Sequence, residues 1–219
     1  MRQFLLSVLL LSLAGTTAAQ DFQEGVHYKL IEPAQPTNNE GTVEVVEVFS
    51  YACPHCASFQ PFIESWVESA PENVDFRRIP VVFRASWEPF ARAYYTAEAM
   101  DILDDTHEAI FDALHKERRQ LRSNDDLADF VAENSESTSR EDYLKLSKSF
   151  AIETKLRRGM TQVQRFGVDA TPSVIINGKY RATATMAGSV NRLLELMNYL
   201  VGLENAGAGA AETAEASSD

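Results

Sequence analysis

Runs of apolar residues divide the chain into two β-containing parts that flank a helical middle. Past a stretch with Pro and Asn at 35–40, the segment 43–49 (VEVVEVF) is rich in β-branched residues and predicts a strand. Apolar residues then recur with helical spacing at Phe59, Phe62, Ile63, Trp66 and Val67. A second strand is predicted at 74–83. The first part is therefore a β-α-β unit whose two strands lie parallel in one sheet.

The middle of the chain, at 87–166, predicts helices with no strand between them. Two Ser-x-x-acid patterns, beginning at Ser123 and Ser139, are typical of helix starts and precede apolar residues at helical spacing. A further amphipathic stretch contains His107, which we expect to be a half-buried packing residue rather than a ligand. These helices form a subdomain inserted into the α/β unit.

Strand character returns at 173–176, before Asn177-Gly178, a dipeptide favoured in two-residue hairpin turns. The returning strand is predicted at 180–185, and a last helical stripe runs from Val190 to Leu200. We therefore place one half of the sheet domain at 20–86, the insertion at 87–166 and the other half at 167–203. The segment 204–219 is rich in Ala, Gly, Glu and Ser, and we expect a disordered acidic tail.

The N-terminus predicts export. Arg2, an apolar run at 4–14 and the small residues Thr17, Ala18 and Ala19 form the pattern of a signal peptide at 1–19, cleaved after Ala19. The apolar run is shorter than the roughly 20 residues that span a bilayer, so we expect no permanent membrane span. The formal net charge of −12 argues against nucleic acid and anionic membranes as partners.

The chain has two cysteines, Cys53 and Cys56, between the first strand and its helix. A disulfide across so short a loop removes only ~2 kcal/mol of unfolded-state entropy, so the pair is poorly placed as a structural staple. A helix N-terminus favours an anion, which predicts a lowered pKa and a thiolate at Cys53. Cys56, one turn deeper, is then the resolving thiol.

Two neighbours of the cysteines favour the same chemistry. Pro54 lacks an N–H and fits the first helical turn, while His55 can stabilise a thiolate by charge or by a hydrogen bond. A stabilised thiolate favours the reduced form and makes the disulfide a better oxidant. A zinc site is the alternative, but the other histidines, His27, His107 and His115, do not have ligand spacing. A structural bridge is a further alternative, and redox chemistry is favoured over both.

The motif Cys53-Pro54-His55-Cys56, the preceding VVEVFSYA and the downstream runs 167–172 (GVDATP) and 174–180 (VIINGKY) resemble the thiol:disulfide interchange protein DsbA family. The resemblance covers nearly all of the mature chain apart from the tail. It implies a thioredoxin fold, a central mixed β-sheet flanked by helices, with an inserted all-helical subdomain. It also implies a cis Pro172 beside Cys53, with the Thr171 backbone binding an extended substrate strand.

The resemblance further implies a redox-active disulfide between Cys53 and Cys56, with no other cofactor and no metal. The substrates would be reduced exported proteins in the periplasm, and a DsbB-like membrane quinone reductase would reoxidise the protein. We also expect a monomer. Ala52 and Thr171 depart from many members, which carry an aromatic residue and Val at these positions. Both differences could change substrate fit or redox poise.

Glu47 interrupts the apolar face formed by Val43, Val45 and Phe49. By resemblance it would be a buried proton acceptor near Cys56, and the alternative is an edge-strand glutamate in water. Two other functions also stay open. One is a disulfide reductase or isomerase of the same fold, and the other is a chaperone-like binding module that has kept the cysteines.

Overall fold

The computed structural model describes residues 22–39 and 41–216, so the predicted signal peptide lies outside the described residues. The strands within these ranges are β1 (Lys29–Leu30), β2 (Val43–Phe49), β3 (Val74–Pro80), β4 (Ser173–Ile176) and β5 (Tyr180–Ala182). The helices within them are α1 (Pro54–Ser69), α2 (Glu88–Ala99), α3 (Leu103–His115), α4 (Asn124–Asn134), α5 (Arg140–Ser147), α6 (Phe150–Arg165), α7 (Ala184–Ala187) and α8 (Val190–Ala216). A 3-10 turn at Ala85–Trp87 precedes α2.

The five strands of the described chain form one mixed sheet in the order β1-β5-β4-β2-β3. β2 and β3 pair in parallel, with Val43 opposite Val74 and Phe49 opposite Pro80, as the β-α-β pattern predicts. The other neighbours pair antiparallel. β2 therefore lies inside the sheet, and all seven of its residues are buried. Helices cover both faces, so this strand has no solvated face.

The predicted helical insertion is confirmed: α2 to α6 follow one another between β3 and β4. Ser123 caps α4 by accepting a hydrogen bond from the Asp126 amide, and Asp126 closes the reciprocal bond to the Ser123 amide. Ser139 caps α5 by accepting a hydrogen bond from the Asp142 amide. These caps account for the boundaries that the sequence predicts. The architecture is the one that the resemblance implies.

The core of the described part of the chain falls into three apolar clusters. One joins β2 to α1 and α8, a second packs α6 against the opposite face of β2 and β3, and a third lies between the insertion and the end of β2. The third cluster contains both Cys53 and Cys56 together with Phe49 and Tyr51. The insertion therefore shares its core with the cysteine motif.

Two sequence predictions were wrong near the C-terminus. The tail expected to be disordered from residue 204 continues α8 as far as Ala216. Glu204 and Asn205 also make tertiary hydrogen bonds, Asn205 with Asn73 at 2.6 Å. The returning hairpin strand ends at Ala182 rather than at 185, because the Thr183 side chain accepts a hydrogen bond from the Met186 amide and starts α7.

Candidate active site

Cys53 is the N-cap residue of α1, directly after the turn that leaves β2. Its amide donates to the Ser50 carbonyl at 3.0 Å, and its carbonyl accepts from the amides of Cys56 and Ala57. Pro54 is the first helical residue, where the lack of an N–H leaves no hydrogen bond unmade. The predicted strand-to-helix junction is thus confirmed, and it places the Cys53 side chain at the positive end of the helix dipole.

The two cysteines are present as free thiols, so the structure describes the reduced form. The pKa of Cys53 is lowered from its usual 9.0 to about 5. The main cause is a hydrogen bond with the Cys56 side chain, followed by one with the Thr171 side chain and by backbone N–H groups of Cys56 and His55, while burial opposes them. Cys53 is therefore a thiolate at neutral pH.

The pKa of Cys56 is shifted in the opposite direction. Its side chain is fully buried, and burial raises the pKa of this thiol far above its usual value. The negative charges of Cys53 and Glu47 raise it further. One motif therefore holds a thiolate at its first sulfur and a protonated thiol at its second.

The loop before β4 approaches the first sulfur. The Thr171–Pro172 peptide bond is cis, and the Thr171 carbonyl oxygen lies 3.6 Å from Cys53 Sγ, close enough to accept a hydrogen bond from the protonated thiol. His55 is exposed, and it lines a cavity of about 470 Å³ together with Thr171 and Pro172. The structure thus brings together four of the residues that the sequence singled out: Cys53, His55, Thr171 and Pro172.

The sequence interpretation missed several residues that line this cavity. Lys29, Arg181 and Met186 line it from β1, β5 and α7. Arg181 is almost buried and donates to Asp169, another residue of the cavity wall, at 2.7 Å. Lys29 is distant in sequence from Arg181 and Met186, and it lies beside Arg181 only through the pairing of β1 with β5. No local motif could have identified them.

Glu47 is fully buried within β2, so the alternative of an edge-strand glutamate in water does not hold. Its Oε2 accepts from Arg78 Nε at 2.9 Å, and Arg78 also donates to Glu64 at 2.7 Å. Burial raises the pKa of Glu47, and Arg78 works against that rise. Oε1 of Glu47 has no hydrogen-bond partner among the described residues. Arg78 was also missed, although the parallel pairing of β2 with β3 places it directly opposite Glu47.

His107 is more deeply buried than the half-buried position expected from the sequence. Its Nδ1 lies 2.7 Å from the Tyr51 hydroxyl, and three further aromatic rings surround it, those of Phe49, Tyr94 and Phe111. Burial lowers the pKa of this histidine to about 3, with a smaller contribution from Arg78. His107 is thus a neutral packing residue with one hydrogen bond.

Among the described residues, no group of three or more His, Cys, Asp or Glu side chains is arranged to hold a metal ion. No helix in the same part of the chain has the length and apolar character needed to span a membrane.

Comparison with known proteins agrees with this geometry. The thioredoxin family model matches residues 38–195. The thiol:disulfide interchange protein DsbA of Pseudomonas aeruginosa is 35% identical over 211 residues, covering 95% of this chain and 99% of that protein. DsbA of Pseudomonas syringae is also 35% identical and covers 97% of this chain and 100% of that protein.

Solved structures give the same result. The crystal structure of Pseudomonas aeruginosa DsbA superposes with a TM-score of 0.83 at 34% identity, covering 87% of this chain and 98% of that one. The oxidoreductase DsbA of Xylella fastidiosa superposes with a TM-score of 0.76 at 29% identity, covering 82% of this chain and 96% of that one. The chain therefore belongs to the DsbA family of thiol:disulfide interchange proteins, which are thiol-disulfide oxidoreductases with a thioredoxin fold.

Proposed function

We propose that this protein donates a disulfide between Cys53 and Cys56 to reduced exported proteins. The observation that carries the proposal is the opposite displacement of the two cysteine pKa values, with Cys53 lowered to about 5 and Cys56 raised by burial. A stable thiolate at Cys53 favours the reduced enzyme, so its disulfide is readily given to another dithiol. The redox-active disulfide is the only cofactor that this chemistry requires.

The reaction proceeds in two exchanges. A substrate thiolate attacks Cys53 Sγ, a mixed disulfide forms, and the electron pair of the broken bond leaves on Cys56. A second substrate thiolate then attacks the substrate sulfur of the mixed disulfide and releases Cys53 as a thiolate. The substrate loses two electrons and gains a disulfide, while the enzyme gains two electrons and holds Cys53 and Cys56 reduced.

The surroundings of the sulfurs support separate roles for their neighbours. The leaving Cys56 sulfur is buried and requires a proton, and Glu47 is a buried carboxyl whose charge acts on it. Glu47 would supply that proton and accept it again when the disulfide re-forms. Pro54 and His55 separate the two cysteines in sequence, and the Thr171 backbone before Pro172 would hydrogen-bond an extended substrate strand in the cavity beside His55.

The family and the sequence of residues 1–19 support a proposal for the biological setting. We place the mature, monomeric protein in the periplasm, after cleavage of a signal peptide at 1–19. There it oxidises newly exported proteins, and a DsbB-like membrane quinone reductase reoxidises it.

Equilibration with defined glutathione buffers tests the direction of transfer. We expect the Cys53 and Cys56 pair to be reduced at glutathione ratios that leave thioredoxin oxidised. A potential near the ~−270 mV of thioredoxin would instead indicate a reductase. We also expect Cys53→Ser to abolish disulfide formation in a reduced test protein. Folding assistance that persists unchanged in this variant would favour the chaperone-like function.

A further inference from the structure

Tyr51 joins the turn before Cys53 to the helical insertion. It is fully buried two residues before the cysteine, and its hydroxyl and its backbone carbonyl are both bonded to α3. The hydroxyl lies 2.7 Å from Nδ1 of His107, and the carbonyl oxygen lies 2.7 Å from Nε2 of His115. The Phe111 ring packs against the Tyr51 ring, with centroids 4.9 Å apart.

The three contacting residues, His107, Phe111 and His115, are spaced four positions apart on α3. Residues at this spacing follow one another along one face of a helix. One helical face therefore holds the hydroxyl, the ring and the carbonyl of a single tyrosine. His115 is the last residue of α3, so it reaches the backbone of the turn from the end of the helix.

The chemistry of the two bonds differs. A carbonyl oxygen only accepts, so Nε2 of His115 carries the proton and donates it to Tyr51. The bond to His107 joins two neutral groups, because burial lowers the pKa of His107 and raises that of the Tyr51 hydroxyl. The first bond fixes the backbone of the turn, and the second fixes the orientation of the ring.

The same turn sets the position of the reactive sulfur. The Ala52 amide donates to Ser50 Oγ at 3.2 Å, and the Cys53 amide donates to the Ser50 carbonyl at 3.0 Å. These bonds hold the turn from the side of β2, while the bond from His115 holds it from the insertion. The position of Cys53 Sγ relative to the first amides of α1 depends on this turn, because Cys53 is both its last residue and the N-cap of the helix.

We propose that His115 is a positioning residue which, by holding the Tyr51 carbonyl, keeps the turn before Cys53 in the geometry that directs its sulfur toward the first amides of α1. The inference rests on the proposed function only in taking Cys53 as the reactive thiolate. It assigns a role in the redox site to a residue of the inserted subdomain.

The test compares the parent protein, in which His115 donates to the Tyr51 carbonyl, with variants that remove or replace this donor. In His115→Ala the Tyr51 carbonyl loses its partner, and we expect the pKa of Cys53 to rise by at least about half a unit. A pKa rise of about half a unit removes a factor of about three from the stabilisation of the reduced form. At neutral pH the equilibrium with glutathione should therefore shift about threefold toward the disulfide form. In His115→Gln the amide nitrogen lies as many bonds from Cα as Nε2 does, so this variant should restore both values.

Matched controls separate positioning from general loosening. Leu114→Ala removes packing from the neighbouring position of α3, where Leu114 lies partly buried against the same core, without removing a hydrogen bond. It should lower the free energy of unfolding and leave the Cys53 titration unchanged. If His115→Ala does not fold, His115→Asn replaces it, because its shorter side chain keeps a polar amide that falls short of the carbonyl.

The measurements are thiolate absorbance at 240 nm against pH, the glutathione equilibrium and urea unfolding. The inference is overturned if His115→Ala or His115→Asn titrates like the parent protein. It is equally overturned if Leu114→Ala shifts the titration as far, or if His115→Gln fails to restore it. The parent protein is judged separately, since a parent Cys53 that ionises near pH 9 would refute the proposed function regardless of the variants.

Discussion

Arg78 Nε donates to Glu47 Oε2 at 2.9 Å across two neighbouring parallel strands, and both side chains are largely buried. Burial of the carboxyl raises its pKa, and its charge raises the pKa of Cys56. Arg78 also reaches Glu64, which is about half exposed. A proton-binding group close to the interior thiol is thus connected to the surface through an ion pair.

Glu47→Gln keeps the shape of this side chain and removes its ability to bind a proton. We expect the attack of Cys56 on a mixed disulfide to slow by about tenfold or more, since positioned acid-base groups contribute at least this much. Formation of the mixed disulfide at Cys53 should keep its rate. Stopped-flow reaction of the reduced protein with oxidised glutathione resolves the two steps.

Glu44→Gln is the matched control for that experiment. Glu44 is equally buried in β2, and it accepts from Arg77 at 2.9 and 3.0 Å. By the alternation of a strand it lies on the opposite face from Glu47. A slowing of the second step in Glu44→Gln equal to that in Glu47→Gln would contradict a proton-transfer role for Glu47.

The stability of the reduced protein should depend on pH through Cys53. Its folded pKa of about 5 lies below the usual 9.0, so between these values the unfolded chain binds more protons than the folded one. The free energy of unfolding, relative to Cys53→Ser, should therefore rise from pH 5 to pH 8 and be lost as the pH falls toward 5. Urea unfolding of both reduced proteins at several pH values measures this difference in unfolding free energy. A difference that stays constant with pH would contradict a thiolate at Cys53.

Thr171→Val replaces a hydroxyl by a methyl group of nearly the same size. The Thr171 side chain lowers the pKa of Cys53 through a hydrogen bond, so the variant should raise that pKa by about half a unit. The disulfide form should be favoured about threefold more in glutathione buffers. Thr185→Val changes an exposed hydroxyl of the same cavity and should leave the titration as it is.

Gly178 closes the hairpin between β4 and β5 with φ +63°, and a Cβ at this position would lie 2.1 Å from the Gln35 carbonyl oxygen. Gly178→Ala should therefore lower the free energy of unfolding by about 1–3 kcal/mol from the backbone conformation alone. Gly202→Ala is the control, since its Cβ meets nothing within 4 Å on α8. There the helix propensity of alanine should stabilise by about 0.5–1 kcal/mol. Urea unfolding of both variants distinguishes the expected loss of stability from the expected gain.

Glu204 fastens α8 to the hairpin by accepting from Asn177, Lys179 and Tyr180 at 2.5, 2.6 and 3.0 Å. Glu204→Ala removes all three bonds, and we expect a loss of about 1–3 kcal/mol in the free energy of unfolding. Glu72→Ala, at an exposed position, should change it by less than about 0.5 kcal/mol. Equal stability of the two variants would contradict a structural role for this end of α8.

Local sequence signals were sufficient to predict the part of the site that lies between β2 and the start of α1. The β-branched run of β2, the two cysteines and Pro54 all lie within residues 43–56, and their strand-to-helix junction follows from neighbours in sequence. The two Ser-x-x-acid caps were equally local. The cis bond before Pro172 came only from the family resemblance, and the second cis bond, Glu32–Pro33, was not anticipated.

What the sequence interpretation missed depends on contacts between distant segments. Composition predicted disorder from residue 204, but Asn205 bonds to Asn73 across 132 positions, which no composition window contains. β2 is buried on both faces, so its two glutamates could not be assigned to core or solvent by alternation. Their arginine partners became evident only from the pairing with β3.

The hydrogen bonds between α3 and Tyr51 limit how the length of α3 can vary. Each residue added to or removed from a helix turns everything beyond it by about 100°. A single-residue insertion or deletion between His107 and His115 would carry one histidine away from the tyrosine while the other stayed in place. The eight-residue interval of α3 from His107 to His115 therefore has a fixed length as long as both histidines contact Tyr51.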